Sequence, residues 1–257
     1  MAMSINTEKD KPISYSLTDK QRQVYRVLLC PIACDLSIKC SPYKNGERVF
    51  SGQTYRTKSG QTADPDMSDF AIGFYKIIYR ELFDNVLDES GFLLNGCFAG
   101  DTMNSFNSIA NVTPCAGKSK KLRSPESLWR NQLIDFKHQY HCLANFWIIP
   151  MCIGRTSMKL NRFDSMDIFM DSLKLDYKAV LKNYGDYLSK INCYDLFVTT
   201  HFLNAYIPID KSKYCEENSY RLIEQATNRI KRRAIDLAQS KHSDELWEYF
   251  NKLGLLM

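Results

Sequence analysis

No stretch of this 257-residue chain is apolar for long enough to cross a membrane as a helix. The opening residues, MAMSINTEKDKP, also hold no apolar core of the kind an export signal needs, so a cytoplasmic protein with no membrane partner is expected. Paired cysteines are missing too. The nine cysteines are scattered and include no Cys-x-x-Cys. An odd count without an export signal predicts reduced thiols, and it ranks a zinc knot at Cys30, Cys34 and Cys40 below ordinary small buried residues. There is no phosphate-binding glycine loop, dinucleotide fingerprint, nucleophile elbow or His-Glu-x-x-His, and no repeat or low-complexity tract. Reaction classes recognised by those signatures are therefore unsupported.

What is present is a core rich in rings. Hydrophobic residues make up 44% and aromatics 12%, with 15 Tyr and 14 Phe, which excludes a disordered chain. The formal charge of +5, from 34 basic and 29 acidic residues, permits an anionic partner without demanding one. The length fits one globular domain over residues 17–257 behind a loose arm at 1–16. The expected class is α+β, mainly helical, with a small antiparallel sheet.

Thr18 is placed to cap a helix to about Leu29, with Val24, Val27 and Leu28 inward and Pro31 closing it. Asn45-Gly46 marks a tight β-hairpin. Asp64-Pro65 starts a long helix to about Leu87 with Phe70, Phe74, Ile77, Ile78 and Leu82 on one face. Further helices are expected from Ser124 or Ser127 to Tyr140, over Ser165 to Leu175, over Tyr177 to Ile191 and from Asp244 to Leu253. Tyr194 to Tyr206 fits helix or strand equally. Glu217 to Gln239 is the clearest helix, with a stripe of Ile223, Ala226, Ile230, Ala234 and Leu237 beside Arg229, Lys231, Arg232 and Arg233. That basic stripe suits phosphates, or equally a solvated face paired to Glu224 and Asp236.

The chain is organised around Leu143 to Ile149, an apolar run interrupted by Asn145 and ended by Pro150, which reads as a buried strand. A buried amide costs a few kcal/mol unless bonded, so Asn145 should tie down a neighbouring loop. The strand is expected to join the Asn45 hairpin in one sheet. Polar residues flank it: Asp101, Thr102 and Asn104 in the Gly100–Phe106 segment, and Arg155, Asn161 and Arg162 after it. The competing reading of Asp101 is a turn or helix cap. Asp135, His138 and His141 recur every third residue and are weak candidates for a divalent metal, because that spacing fans them around a helix. Lys118, Lys120, Lys121 and Arg123 form a basic loop.

Phe98-Ala-Gly-Asp-Thr-Met-Asn-Ser-Phe106 and Tyr140-His-Cys-Leu-Ala-Asn-Phe-Trp-Ile-Ile-Pro150, with Asp64-Pro65-Asp66, Leu160-Asn161 and Asp164 to Phe169, resemble a family of uncharacterised bacterial proteins over residues 60–190. More distantly, the order of parts is similar to the HNH-type domain of modification-dependent restriction enzymes: an apolar strand matched by the run through Asn145, then an asparagine matched by Asn161. The resemblance implies a ββα-metal scaffold. Asp101-Thr102-Met103 stands where that family carries its general-base histidine, and threonine cannot take the proton. His141 and Asp101 are then the candidates for any surviving catalysis. Two functions follow as expectations. One is a bacterial or mobile-element protein of defence or counter-defence that binds nucleic acid or a nucleotide at Asp101, Thr102, Asn104, Asn145, Arg155, Asn161 and Arg162. The other is a protein-binding module in which Asn145 and the Gly100–Phe106 segment only satisfy each other's hydrogen bonds.

Overall fold

The computed structural model describes residues 16–35, 39–44, 47–48, 66, 69–82, 98–104, 132, 135–136, 139–150, 166–178, 191–204 and 220–256. These form six helices and five strands: α1 (Asp19–Leu28), β1 (Ile32–Asp35), β2 (Lys39–Lys44), β3 (Glu47–Arg48), α2 (Asp69–Ile78), β4 (Phe98–Thr102), β5 (Phe146–Pro150), α3 (Met166–Leu175), α4 (Tyr194–Thr200), α5 (Tyr220–Ala238) and α6 (Ser243–Lys252). The architecture is α+β and mainly helical, as expected. No helix among the described residues is long and apolar enough to cross a membrane.

Helix α1 begins where its capping chemistry begins. The Thr18 hydroxyl accepts from the Gln21 amide at 3.2 Å, and the Gln21 side chain accepts from the Thr18 amide at 3.0 Å. Two otherwise orphaned donors are thereby satisfied. Val24, Val27 and Leu28 fall at i, i+3 and i+4 and are buried against α5 and α6. The C-terminal helix returns the contact: Trp247 donates from Nε1 to Gln23 at 2.8 Å, and the Lys20 ammonium lies 4.8 Å from the centre of its ring. Leu246 and Phe250 of α6 are fully buried.

Helix α2 buries a wider face than one stripe. Phe70, Phe74 and Ile78 form one row, and Ala71, Tyr75, Tyr79 and Leu82 form a second. Ile77, expected inward, is only partly covered. The expected start at Asp64-Pro65 lies outside the described residues, as does the stretch beyond Leu82. Gly73 lets α6 approach: a Cβ there would stand 2.2 Å from the Tyr249 hydroxyl, which donates to the Phe70 carbonyl at 3.1 Å.

Two expectations about the sheet are corrected. The hairpin and the central strand do not share a sheet: β1, β2 and β3 form one antiparallel sheet, and β4 and β5 form another. Lys44 pairs with Glu47 around the expected Asn45-Gly46 turn, whose two residues lie outside the described ones. The strand through Asn145 pairs instead with Phe98–Thr102, with Gly100 opposite Ile148 and Thr102 opposite Phe146. The segment from Gly100, a candidate site whose competing reading is a capped turn, thus begins as strand through Thr102. Gly100 fits because a Cβ there would lie 2.1 Å from the Asp66 carbonyl oxygen.

The strand also starts later than its apolar run. Leu143–Asn145 is a 3-10 turn, and extension begins at Phe146. The reason is electrostatic. A strand points alternate carbonyls to opposite sides, whereas here the carbonyls of Leu143, Ala144 and Phe146 converge on one guanidinium, that of Arg233. Tyr194–Thr200, undecided from its pattern, is helix. The helices expected over Ser124–Tyr140 and Tyr177–Ile191 fall largely outside the described residues.

Candidate functional site

Asn145 is fully buried, and its side chain uses its whole hydrogen-bonding capacity. Its Oδ1 accepts from the Asn104 backbone amide and from Asn104 Nδ2, each at 3.0 Å. Its Nδ2 donates to the Asn104 carbonyl at 3.1 Å and to the Tyr140 carbonyl at 2.7 Å. The amide therefore ties down the segment after β4, as its burial in an apolar run requires. It has no capacity left for a ligand. Beside it, the Thr102 hydroxyl donates to Asp66 Oδ2 at 2.9 Å, and Asp101 Oδ1 accepts the Thr102 amide at 2.8 Å.

Below this lock lies Arg233, only 3% exposed. Its Nε donates to the His201 carbonyl at 2.8 Å, and its Nη1 donates to the carbonyls of Ala144 (2.9 Å), Phe146 (2.8 Å) and Leu143 (3.4 Å). Nη2 reaches the Tyr79 hydroxyl at 3.4 Å. Carbonyl dipoles converging on the guanidinium replace the water a buried cation loses. Burial lowers the Arg233 pKa, yet an arginine starts so high that it stays charged.

The Tyr79 hydroxyl is already an acceptor for the Arg233 guanidinium. Its own proton therefore goes to His201 Nδ1, 2.9 Å away. That assigns His201 as a neutral imidazole carrying its hydrogen on Nε2. Burial, reinforced by the Arg233 charge, holds its pKa well below the usual value, and burial pushes the Tyr79 phenol up to about 12. Trp147 and Phe197 pack against the His201 ring at 5.5 and 4.4 Å.

Above the lock is a small cleft with a cavity volume of about 20 Å³, room for about one water. Helix α5 supplies Arg229, Arg232 and Asp236 to its wall, Asn104 comes from the segment after β4, and Phe202 follows α4. Arg232 Nε lies 3.1 Å from Asp236 Oδ1, the pairing expected along this helix face. Burial raises the pKa of Asp236. With Arg233 at its floor, the cleft sets three arginines against one carboxylate, so its field favours an anion.

Phe202 enters this wall in an unusual conformation. It is the only non-glycine with positive φ among the described residues, at 57°. Helix α4 ends in a Schellman motif, with the Leu203 amide donating to the Val198 carbonyl at 2.8 Å and the Phe202 amide to Thr199 at 3.1 Å. Helix α6 ends in the same way, and there the left-handed position is Gly254, at 67°. A phenylalanine in that position costs about 1–2 kcal/mol that glycine avoids.

Of the residues expected to bind, Asp101, Thr102, Asn104 and Asn145 are brought together. Among these only Asn104 reaches the cleft. Arg155, Asn161 and Arg162 lie outside the described residues, as do His138 and the basic loop at Lys118–Arg123. Asp135 is exposed. No group of three metal-ligating side chains occurs among the described residues. His141 is half-buried against Tyr140 and Phe146, and burial pushes its pKa down to about 4, which leaves a weak base. Cys30, Cys142 and Cys193 are free thiols.

The reading from sequence missed Arg233, His201 and Phe202. Arg233 carried a signal: it falls three residues after Ile230 and four before Leu237, within the apolar stripe rather than beside it. His201 sits four residues after buried Phe197 on the same helix face. Phe202 carried none. No protein-family model, curated protein or solved structure matches this chain.

Proposed function

We propose that this is a nucleic-acid-binding protein whose strand backbone runs across the surface where α5 meets the segment after β4. The observation that supports the reading is that Arg229 and Arg232 share one concave wall with Asn104. Guanidinium groups bind phosphate through paired N–H donors, and an amide side chain adds a neutral contact of the kind that positions a backbone. The locked Asn145 and the buried Arg233 hold the two walls of the cleft in place rather than touching the ligand.

The antiparallel β4–β5 pair, followed later in the chain by α3, has the element order that an HNH relative would have. This supports kinship with those nucleases, and with it a role in defence or counter-defence in a bacterium or mobile element. Catalysis is not part of the proposal, because Thr102 cannot act as the general base and His141 is a weak one. The test is titration of labelled oligonucleotides with wild-type protein and with Arg229→Ala/Arg232→Ala. Both arginines are partly solvent-accessible on a well-packed helix, so the variant should remain folded. Binding that falls at least tenfold supports the cleft, and unchanged binding rejects it.

A second reading, a protein-binding module, is favoured by the saturation of Asn145, whose side chain spends every hydrogen bond on Asn104 and Tyr140 and holds no ligand. The same titration separates the two, since this reading expects no oligonucleotide affinity.

A further inference from the structure

We infer that Asp236 is an internal competitor for Arg232: it holds the guanidinium until a phosphate docks on the α5 surface, and so restrains the affinity of that surface. This deepens the proposed function and rests on it. Three observations carry it. Arg232 Nε lies 3.1 Å from Asp236 Oδ1, one helical turn along α5. Among the described residues that line the cleft, Asp236 is the one carboxylate, set against Arg229, Arg232 and Arg233, and the lining residues from other elements carry no titratable group.

The second observation is unequal exposure. The Arg232 side chain keeps 35% of its surface exposed and that of Asp236 only 14%. The long guanidinium side chain can turn toward a strand on the surface, while the short carboxylate stays in the recess. The third is that Asp236 Oδ2 is buried and accepts no hydrogen bond among the described residues. An ionised carboxylate has about four acceptor sites, and burial of one so sparsely served raises its pKa. It is therefore a weak anchor for a cation, as ion pairs along one helix face generally are. A phosphate offers the same guanidinium paired acceptor oxygens at the surface. Once the phosphate holds Arg232, Asp236 has lost its cation and stands near a like charge, which opposes binding.

The test titrates a labelled single-stranded oligonucleotide with the full chain as wild type, Asp236→Asn, Arg232→Ala and the double variant. Asparagine keeps the shape and removes the charge, so Asp236→Asn should bind roughly fivefold or more tightly than wild type. In the Arg232→Ala background the same change should alter affinity by less than about twofold, because the guanidinium it releases is gone. The cycle separates competition for Arg232 from a general gain in positive charge, which would tighten binding alike in both backgrounds. Unchanged or weaker binding by folded Asp236→Asn overturns the inference, as does an equal gain in the two backgrounds. Thermal unfolding checks the fold, and Asp236→Ser, which removes the charge with a smaller side chain, carries the same expectation should the asparagine variant melt early. Loss of binding in Arg229→Ala/Arg232→Ala together with no gain in Asp236→Asn removes this inference alone. Normal binding in the arginine variant removes the proposed function as well.

Discussion

Asn104 and Asn145 exchange three hydrogen bonds across 41 residues of sequence, at 3.0, 3.0 and 3.1 Å, with no exposed atom on Asn145. The pair closes the end of the β4–β5 ladder, where the Met103 amide also donates to the Asn145 carbonyl at 2.9 Å. Asn145→Ala leaves the Asn104 amide and the Tyr140 carbonyl without this partner in the interior. A loss of about 2–5 kcal/mol is expected from chemical denaturation. A loss under about 1 kcal/mol would mean that the lock is not structural.

Arg233 should be intolerant of both shape and charge changes. Arg233→Met strands carbonyls that now converge on the guanidinium, and Arg233→Lys keeps the charge but cannot span them with one ammonium. Each variant should lose about 3–5 kcal/mol. If the lysine variant matches wild type in a urea melt, the planar fork is not what holds the 3-10 turn.

Gly100→Ala tests the close approach of β4 to Asp66. The added methyl would meet a backbone oxygen at 2.1 Å, which a side-chain rotation cannot relieve. Destabilisation of about 1–3 kcal/mol is expected from thermal unfolding, and a neutral change would show that the strand shifts freely.

Acid should weaken the fold through His201. In the unfolded chain its imidazole takes a proton as pH falls through about 6.5, whereas in the folded chain it is held well below that value. The unfolded state then binds more protons, so this contribution is complete above about pH 6.5 and declines as pH drops below it. The slope from His201 is at most about 1.4 kcal/mol per pH unit, with His141 adding in the same direction. Unfolding free energies from about pH 7.5 down to about pH 5 should fall in wild type and fall less steeply in His201→Gln. Equal slopes would show that His201 is not kept neutral.

Local chemistry was the readable part of the chain. Thr18 announced α1, the stripe from Ile223 to Leu237 announced α5, and Asn145 in an apolar run announced a bonded amide. Pairing across distance was not readable. Phe98–Thr102 is too short and too polar to declare itself a strand, and its partner lies 44 residues or more away. For the same reason the partner of Asn145 could be expected but not named with its geometry. In the site, Arg229 and Arg232 were visible as a basic stripe, but their meeting with Asn104 depends on how Arg233 docks α5 against the 3-10 turn. The left-handed Phe202 was hidden because its conformation belongs to the end of α4, whose helical state the pattern left open.

The most direct test of the central claim is the salt dependence of single-strand binding, measured as log affinity against log salt for wild type and Arg229→Ala/Arg232→Ala. Each phosphate contact contributes a slope of about 0.7 on single strands, so losing both arginines should make the line shallower by roughly 1.4. Such a change places the phosphates at α5. An unchanged slope would contradict the account, because whatever nucleic acid the protein then bound would lie elsewhere on its surface.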